Sequence, residues 1–271
     1  MPKMVNRSRA MARISLLGTE IDNISMNQAL TRIAEAVAAR HFSYAVTPNV
    51  DHVMQLRTDP ELRTVYGEAD MVLADGVPLV WASKVLGTPL KERINGTDLF
   101  ERTCEAAARC GHSIFLLGGN PGAAVNAASR LNGLYPDLRI AGCSCPELGF
   151  HVDSVQNQSI QDEIRKSGAD ILFVGLGAPK QEKWIYNYAR ESGVAFAVGI
   201  GISFSFVAGQ IRRAPLWMQR HGLEWLWRLI AEPRRLWKRY LLNDIPFISL
   251  VLWNWIQHHI DQQKRRNENV G

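Results

Sequence analysis

The chain has 271 residues, 46% of them hydrophobic and 21% charged, with a net charge of +5. That apolar content supports a sizeable core and excludes an intrinsically disordered chain. The length fits one large domain or a domain with an appendage, and the positive balance points to an anionic partner.

Residues 1–12 are basic and polar, lack the apolar stretch of a secretory signal, and read as a tail. Residues 13–17 read as a first strand turned by Gly18. Ser25 and Gln28 make a capping-box pair, and Met26, Ala29, Leu30, Ile33, Ala34 and Val37 keep helical spacing to about Arg40. Residues 43–46 read as a strand that runs into Thr47-Pro48-Asn49-Val50-Asp51-His52. Pro48 biases Thr47 toward an extended backbone, so a hydroxyl, an amide and a carboxylate stand just past a strand end. Short helices are expected over 50–57 and 60–68, and His52 is expected to be structural.

Met71-Val72-Leu73 then leads into Ala74-Asp75-Gly76-Val77-Pro78 and an apolar-periodic helix. Asp75 thus sits at the end of a buried strand, where open α/β sheets bind their ligands. Two readings stay open from position alone: a general base, or a cap for the next helix. The polar stretch Lys91-Glu92-Arg93-Ile94-Asn95-Gly96-Thr97-Asp98 follows, with Thr97 or Asp98 expected to cap a helix over 99–110.

A strand over 113–117 runs into Gly118-Gly119-Asn120-Pro121-Gly122 and a helix over 123–134. Such a turn either cradles a phosphate on backbone N–H groups or is a tight turn that needs glycine. Further strands are expected over 138–141, 170–174 and 194–198, a polar loop over 143–158 and a helix over 158–167. The 170–174 strand ends in Gly175-Leu176-Gly177-Ala178-Pro179-Lys180-Gln181-Glu182, a second glycine-bearing strand end with positive charge beside it. Repeated βα units make the fold α/β, with a largely parallel sheet. There is no G-x-G-x-x-G turn followed by an acidic residue, which argues against a dinucleotide oxidoreductase. Cys104, Cys110, Cys143 and Cys145 lack metal-ligand spacing and read as reduced thiols of a cytosolic protein. The histidines also lack it; His258-His259 read as a solvated helix end.

From Ile211 onward the composition changes. Eleven Lys and Arg face five Asp and Glu, more than the net charge of the whole chain, and six of the eight tryptophans fall here. Leu223, Leu226, Trp227 and Ile230 are spaced for one helix face. Arginine with tryptophan on short amphipathic helices suits an anionic membrane surface. A packed helical subdomain and a nucleic-acid surface are the competing readings; the membrane and packed readings can both hold, in different states, and no nucleic-acid partner is expected. The apolar run 245–256 is too short to span a bilayer.

Several stretches, taken together and in order, resemble the WecG/TagA/CpsF family, glycosyltransferase family 26. They are Thr47-Pro48-Asn49, Ala74-Asp75-Gly76, Arg93 to Asp98, Gly175 to Glu182, Arg213-Ala214-Pro215, Gly222-Leu223-Glu224-Trp225 and Glu232-Pro233-Arg234-Arg235. That family comprises inverting enzymes of bacterial surface-polysaccharide and teichoic-acid assembly.

The resemblance implies a Rossmann-like core over 13–210 and a membrane-docking helical appendage over 211–271. It implies transfer from a UDP-sugar to a sugar on a polyprenyl pyrophosphate, in exopolysaccharide or other cell-surface polysaccharide synthesis. It also implies no metal or cofactor and a peripheral place at the inner face of the cell membrane. Asp75 would be the general base, and Thr47, Asn49, Arg93 and Gln181 would line the pocket. Arg228 and Arg235 would complete it from the appendage. Asn95, Gly118, Gly119, Gly177 and Lys180 are further substrate-binding candidates. Where many relatives carry an Asp, this chain has Ser205, which puts a second carboxylate there in doubt. Monomer and homo-oligomer both stay open. The rival from another class is a non-catalytic, membrane-peripheral protein that binds a nucleotide sugar.

Overall fold

A computed structural model describes residues 13–147, 149–231, 233–234 and 245–268. The basic tail 1–12 lies outside them. Six strands form one all-parallel sheet: β3 (Ser43–Val46), β4 (Met71–Val72), β5 (Ser113–Gly118), β6 (Arg139–Ser144), β7 (Ile171–Gly175) and β8 (Phe196–Gly199). Their spatial order is β4-β3-β8-β7-β5-β6. Parallel sheets are covered on both faces, so their strands read as continuous apolar runs. Along β7, Ile171 and Phe173 pack on one face, Leu172 and Val174 on the other. One face is covered by α2 (Val50–Leu56), α3 (Pro60–Gly67), α4 (Val77–Val85), α7 (Ser154–Ser167) and α8 (Lys180–Tyr188). The other is covered by α1 (Met26–Ala39), α5 (Gly96–Cys110), α6 (Ala123–Leu134) and α9 (Ser203–Val207).

The strand order places the site. The chain leaves β3 toward one edge, where β4 pairs with it, while β5 to β8 build the other side and return β8 against β3. The order therefore reverses between β3 and β8, and a crevice opens outside their carboxyl ends.

An antiparallel ribbon, β1 (Arg13–Leu16) with β2 (Thr19–Asp22), braces the β4 edge. Buried Asp22 accepts from Val72 N at 2.8 Å and pairs with Arg32 and Arg13 at 3.1 and 3.4 Å. The second strand of this ribbon is absent from the sequence reading. The capping box of α1 is present in full, with Arg40 in the left-handed region at its end.

Three boundaries differ from expectation. The cap of α5 is Asn95, not Thr97 or Asp98: its carbonyl oxygen accepts from Thr97 N at 2.8 Å. The loop expected over 143–158 is instead the end of β6, a 3-10 turn (Phe150–Val152) and the first turn of α7, capped by Asp153. Helix α7 is largely polar and buries only Asn157, Ile160, Gln161 and Ile164, which hides its start in the sequence.

After α9 come α10 (Leu216–Arg220), α11 (Glu224–Ala231) and α12 (Ile245–Glu268). Helix α11 buries none of its residues, and Trp217, Trp225 and Trp253 are exposed. This departs from a subdomain with a tryptophan core. Phe247 of α12 is buried against the α/β core cluster. Among the described residues no helix is long and apolar enough to cross a membrane.

Candidate functional site

The crevice is a cavity of about 1060 Å³ at the carboxyl ends of β3, β4, β7 and β8, walled on its far side by α11 and α12. Asp75 stands on its floor. The backbone leading to it is fixed by Leu73 N donating to Val46 O at 2.8 Å, Asp75 N to Pro48 O at 2.8 Å and Ile94 N to Ala74 O at 2.8 Å. Asp75 does not cap α4; Gly76 holds that position. Its carboxylate turns instead to the start of α5, accepting from Asn95 Nδ2 at 3.3 Å and Gly96 N at 3.4 Å. Burial raises its pKa to about 6, although the Arg93 guanidinium, the Gly96 N–H and His52 pull it down and Glu224 pushes it up. Such a carboxyl is largely ionised at neutral pH yet far more basic than an exposed aspartate.

Thr47 and Asn49 line the same cavity from the end of β3. Asn49 caps α2 in a capping box with His52. The buried His52 ring lies between the Asn49 amide, 2.9 Å from Nδ1, and Glu182, 3.4 Å from Nε2. His52 also lines the cavity. The buried Glu182 carboxyl also accepts from Gln181 Nε2 at 2.8 Å, while Gln181 Oε1 accepts from Gly201 N at 2.9 Å. Gln181 thus reaches the cavity wall but ties the β7 and β8 turns together. Burial raises the pKa of Glu182, and the His52 and Gln181 contacts outweigh it, leaving the carboxyl below its ordinary value.

Arg93, Asn95, Gly177 and Arg228 complete the predicted residues that the fold brings to the cavity. Three others lie elsewhere. Gly118 and Gly119 do not line it: a β-carbon on Gly118 would stand 2.7 Å from Leu176 Cδ2, and one on Gly119 3.0 Å from Phe204 Cδ2. Their turn is filled by protein, which favours the tight-turn reading over a phosphate cradle. Lys180 is exposed on the first turn of α8, outside the lining, and acts on His151, whose pKa burial and this ammonium lower. Lys183 is held by Asp59 and Glu61 at 2.8 and 2.7 Å. Arg235 lies outside the described residues. Ser205 is buried away from the cavity, between Asn120 and Gln210 at 3.3 and 3.2 Å.

Two site residues escaped selection from the sequence. Glu224, at the start of α11, lines the cavity and takes Arg93 Nη1 at 3.2 Å. Arg213 holds Glu224 at 3.0 Å and Asp98 at 2.6 Å. Both fall in stretches that match the family pattern, the only sequence signal they gave. Apolar groups also reach the cavity: Trp81 and Val85 from α4, Ile248, Val251 and Leu252 from α12. Among the described residues, no three His, Cys, Asp or Glu side chains group as a metal site. All four cysteines are free.

A basic carboxylate, a guanidinium and polar strand ends beside apolar walls can deprotonate a hydroxyl, hold an anion and accept an amphiphile. Known proteins share this chain's pattern over most of its length. A profile of the Glycosyl transferase WecG/TagA/CpsF family matches residues 14–261. A Bacillus spizizenii protein named N-acetylglucosaminyldiphosphoundecaprenol N-acetyl-beta-D-mannosaminyltransferase is 34% identical over 211 residues, 78% of this chain and 79% of that protein. Proteins of the same name from Bacillus subtilis and Staphylococcus aureus are 35% and 29% identical, over 72% and 87% of this chain and 72% and 90% of their own lengths. The chain therefore belongs to the WecG/TagA/CpsF family of glycosyltransferases.

Proposed function

We propose that the chain transfers a sugar, with inversion, from a UDP-sugar to a sugar carried on a polyprenyl diphosphate, working as a peripheral protein on the inner face of the cell membrane. The observation that carries this reading is Asp75: a carboxyl with a pKa of about 6, on the floor of a cavity that also holds Arg93 and opens between apolar side chains. The name of the relatives, which describes a mannosaminyl transfer to a diphosphoundecaprenol-linked sugar, supports the choice of acceptor.

In this mechanism Asp75 takes the proton of the acceptor hydroxyl as its oxygen attacks the anomeric carbon. The bond from that carbon to the UDP phosphate oxygen breaks on the opposite face, and the leaving diphosphate keeps the electron pair. Arg93 and Arg228 face the developing negative charge, with Arg235 proposed to join them. Thr47 and Asn49 orient the sugars by hydrogen bonds. The apolar walls from α4 and α12 suit the first isoprenoid units of the acceptor. Exposed Trp217, Trp225 and Trp253, with the basic residues of 211–271, support docking on an anionic surface.

The test is UDP release from a panel of UDP-sugars, UDP-N-acetylmannosamine first, with a polyprenyl-diphosphate-N-acetylglucosamine acceptor. Wild type is compared with Asp75→Asn. Acceptor-dependent release should fall by about 10²- to 10⁴-fold in the variant, with UDP binding retained. Release unaffected by the substitution would remove Asp75 from the base position. UDP binding without release for any pair would favour the non-catalytic binding protein.

A further inference from the structure

Arg93 is a liability for a base at Asp75. A guanidinium beside a carboxylate stabilises the ionised form and weakens it as a proton acceptor. Arg93 is the foremost of the influences that lower the Asp75 pKa. Its charge, however, is engaged elsewhere. Nη1 lies 3.2 Å from Glu224 Oε2, and Nη2 lies 3.9 Å from Asp98 Oδ2. Arg213 closes the circuit, with Nε 3.0 Å from Glu224 Oε1 and Nη2 2.6 Å from Asp98 Oδ1. Two arginines and two carboxylates thus alternate in a ring. Arg93, Arg213 and Glu224 have side chains no more than 20% exposed, so solvent screens them only in part.

Glu224 touches Asp75 through one further group. The Asn95 amide donates from Nδ2 to Asp75 Oδ1 at 3.3 Å and to Glu224 Oε2 at 3.5 Å. Glu224 therefore acts on Asp75 twice, by engaging Arg93 and by facing the same amide. It is also the member of the ring that belongs to α11, whereas Arg93, Asn95 and Asp98 belong to the loop before α5 and its first turn. A carboxylate lining a cavity that must take a diphosphate is otherwise unfavourable by like-charge repulsion.

We propose that Glu224 is a positioning residue: seated with α11 over the cavity, it holds Arg93 off Asp75 and fixes the shared Asn95 amide, so that the docked helix completes the base. If α11 lifts, Arg93 loses its main partner and turns its charge on Asp75, and the base weakens until the helix returns. The inference takes the name "base" for Asp75 from the transferase reading; the ring and its effect on the carboxyl do not depend on it. The other groups that face Asp75 are His52 from α2, Tyr66 from α3 and Gly96 N–H from α5. Arg228 travels with α11 and lines the same cavity, so point variants, not removal of the helix, make the test.

The measurement is a titration of the Asp75 carboxyl by ¹³C NMR in the full chain, its resonance assigned by loss in Asp75→Asn. In Glu224→Gln the midpoint should fall by about one pH unit. In Arg93→Gln it should rise. In the double variant it should return to within about half a unit of wild type, which a mere loosening of α11 would not produce. An unchanged or raised midpoint in Glu224→Gln, or a double variant that stays with Glu224→Gln, overturns the proposal. If Glu224→Gln does not fold, Glu224→Asp keeps the charge on a shorter stem and should titrate near wild type. A fall of a full unit there overturns the proposal too. Where turnover is measured, the acid limb of kcat/KM should move with the midpoint. Absence of turnover in wild type would count against the transferase reading alone, since the titration decides this one without it.

Discussion

Two glycine-bearing strand ends lie side by side in this sheet, at β5 and β7, paired through Gly118 and Gly175. In sequence they look alike: an apolar strand, two or three glycines with a proline, then a helix. In space they differ. The β5 turn is packed, with Gly118 against Leu176 and the Gly175 carbonyl, and Gly119 against Phe204. The β7 turn opens on the cavity, where Gly177 has nothing within 4 Å of a would-be β-carbon. Both Gly118 and Gly177 need a positive φ, of 88° and 75°. Glycine therefore reports the backbone conformation in both places and a ligand site in neither by itself. The site is set by strand order: β3 and β8 border the reversal with β7 next to β8, whereas β5 is two strands removed from β8 and its turn packs against Leu176 and Phe204.

Alanine at these two positions breaks or upholds the contrast. Gly118→Ala adds a left-handed-region penalty of about 1–2 kcal/mol to an overpacking cost of about 1–3 kcal/mol. Gly177→Ala carries the first alone. Urea denaturation should show a loss of about 2–5 kcal/mol for Gly118→Ala and about 1–2 kcal/mol for Gly177→Ala, with the change in donor KM confined to the second. Equal losses, or a KM change from Gly118→Ala at full stability, would return the β5 turn to the candidate site.

The same contrast explains what could be read from sequence. Thr47, Asn49, Asp75 and Gly177 were legible because each follows directly on an apolar strand, and strand ends are where α/β ligands sit. The α1 capping box was legible because its partners are local, and the parallel strands because each is a continuous apolar run even though its pairing partners lie far along the chain. Glu224 was not, because its partner Arg93 lies 131 residues away and only the fold joins them. The ribbon strand Thr19–Asp22 was missed because its Asp22, polar by type, is buried in ion pairs with Arg13 and Arg32. Lys180 misled for the converse reason: a cation in a glycine-rich motif, on the first turn of a helix, faces solvent and not the cavity.

A functional carboxyl on a desolvated floor should also cost the fold stability, in contrast to the packed β5 side. The Asp75 pKa is raised in the folded protein, from 3.8 to about 6, so ionisation disfavours the native state. The sign follows: wild type has its full relative stability below about pH 4 and loses it as pH rises through about 6. Asp75→Asn, which cannot ionise, should then be more stable than wild type at pH 7 by on the order of 1–3 kcal/mol, with the gap closing below pH 4. Thermal unfolding at pH 4 and pH 7 measures both. A gap that is absent at pH 7, or that widens in acid, would mean the carboxyl is solvated or better paired than its surroundings indicate.

The apolar wall sharpens the contrast at its mouth. Trp81 is 60% exposed on α4 and Leu252 is 53% exposed on α12, yet both line the cavity that holds Asp75. Side chains of this size are left uncovered at a cost of about 25 cal/mol for each Å² that a ligand could bury. A lipid chain that covers roughly 50–60 Å² of Trp81 would gain about 1.4 kcal/mol, a factor of ten in affinity. Trp81→Ser should therefore raise KM about tenfold for a long-chain polyprenyl acceptor and leave it unchanged for a water-soluble acceptor with a short tail. Trp217 on α10 is equally exposed but does not line the cavity, so Trp217→Ser is the control and should not alter the chain-length preference. If both substitutions weaken the long-chain acceptor alike, the tryptophans act through the membrane surface and not through a groove leading to Asp75. If neither does, the apolar wall has another occupant.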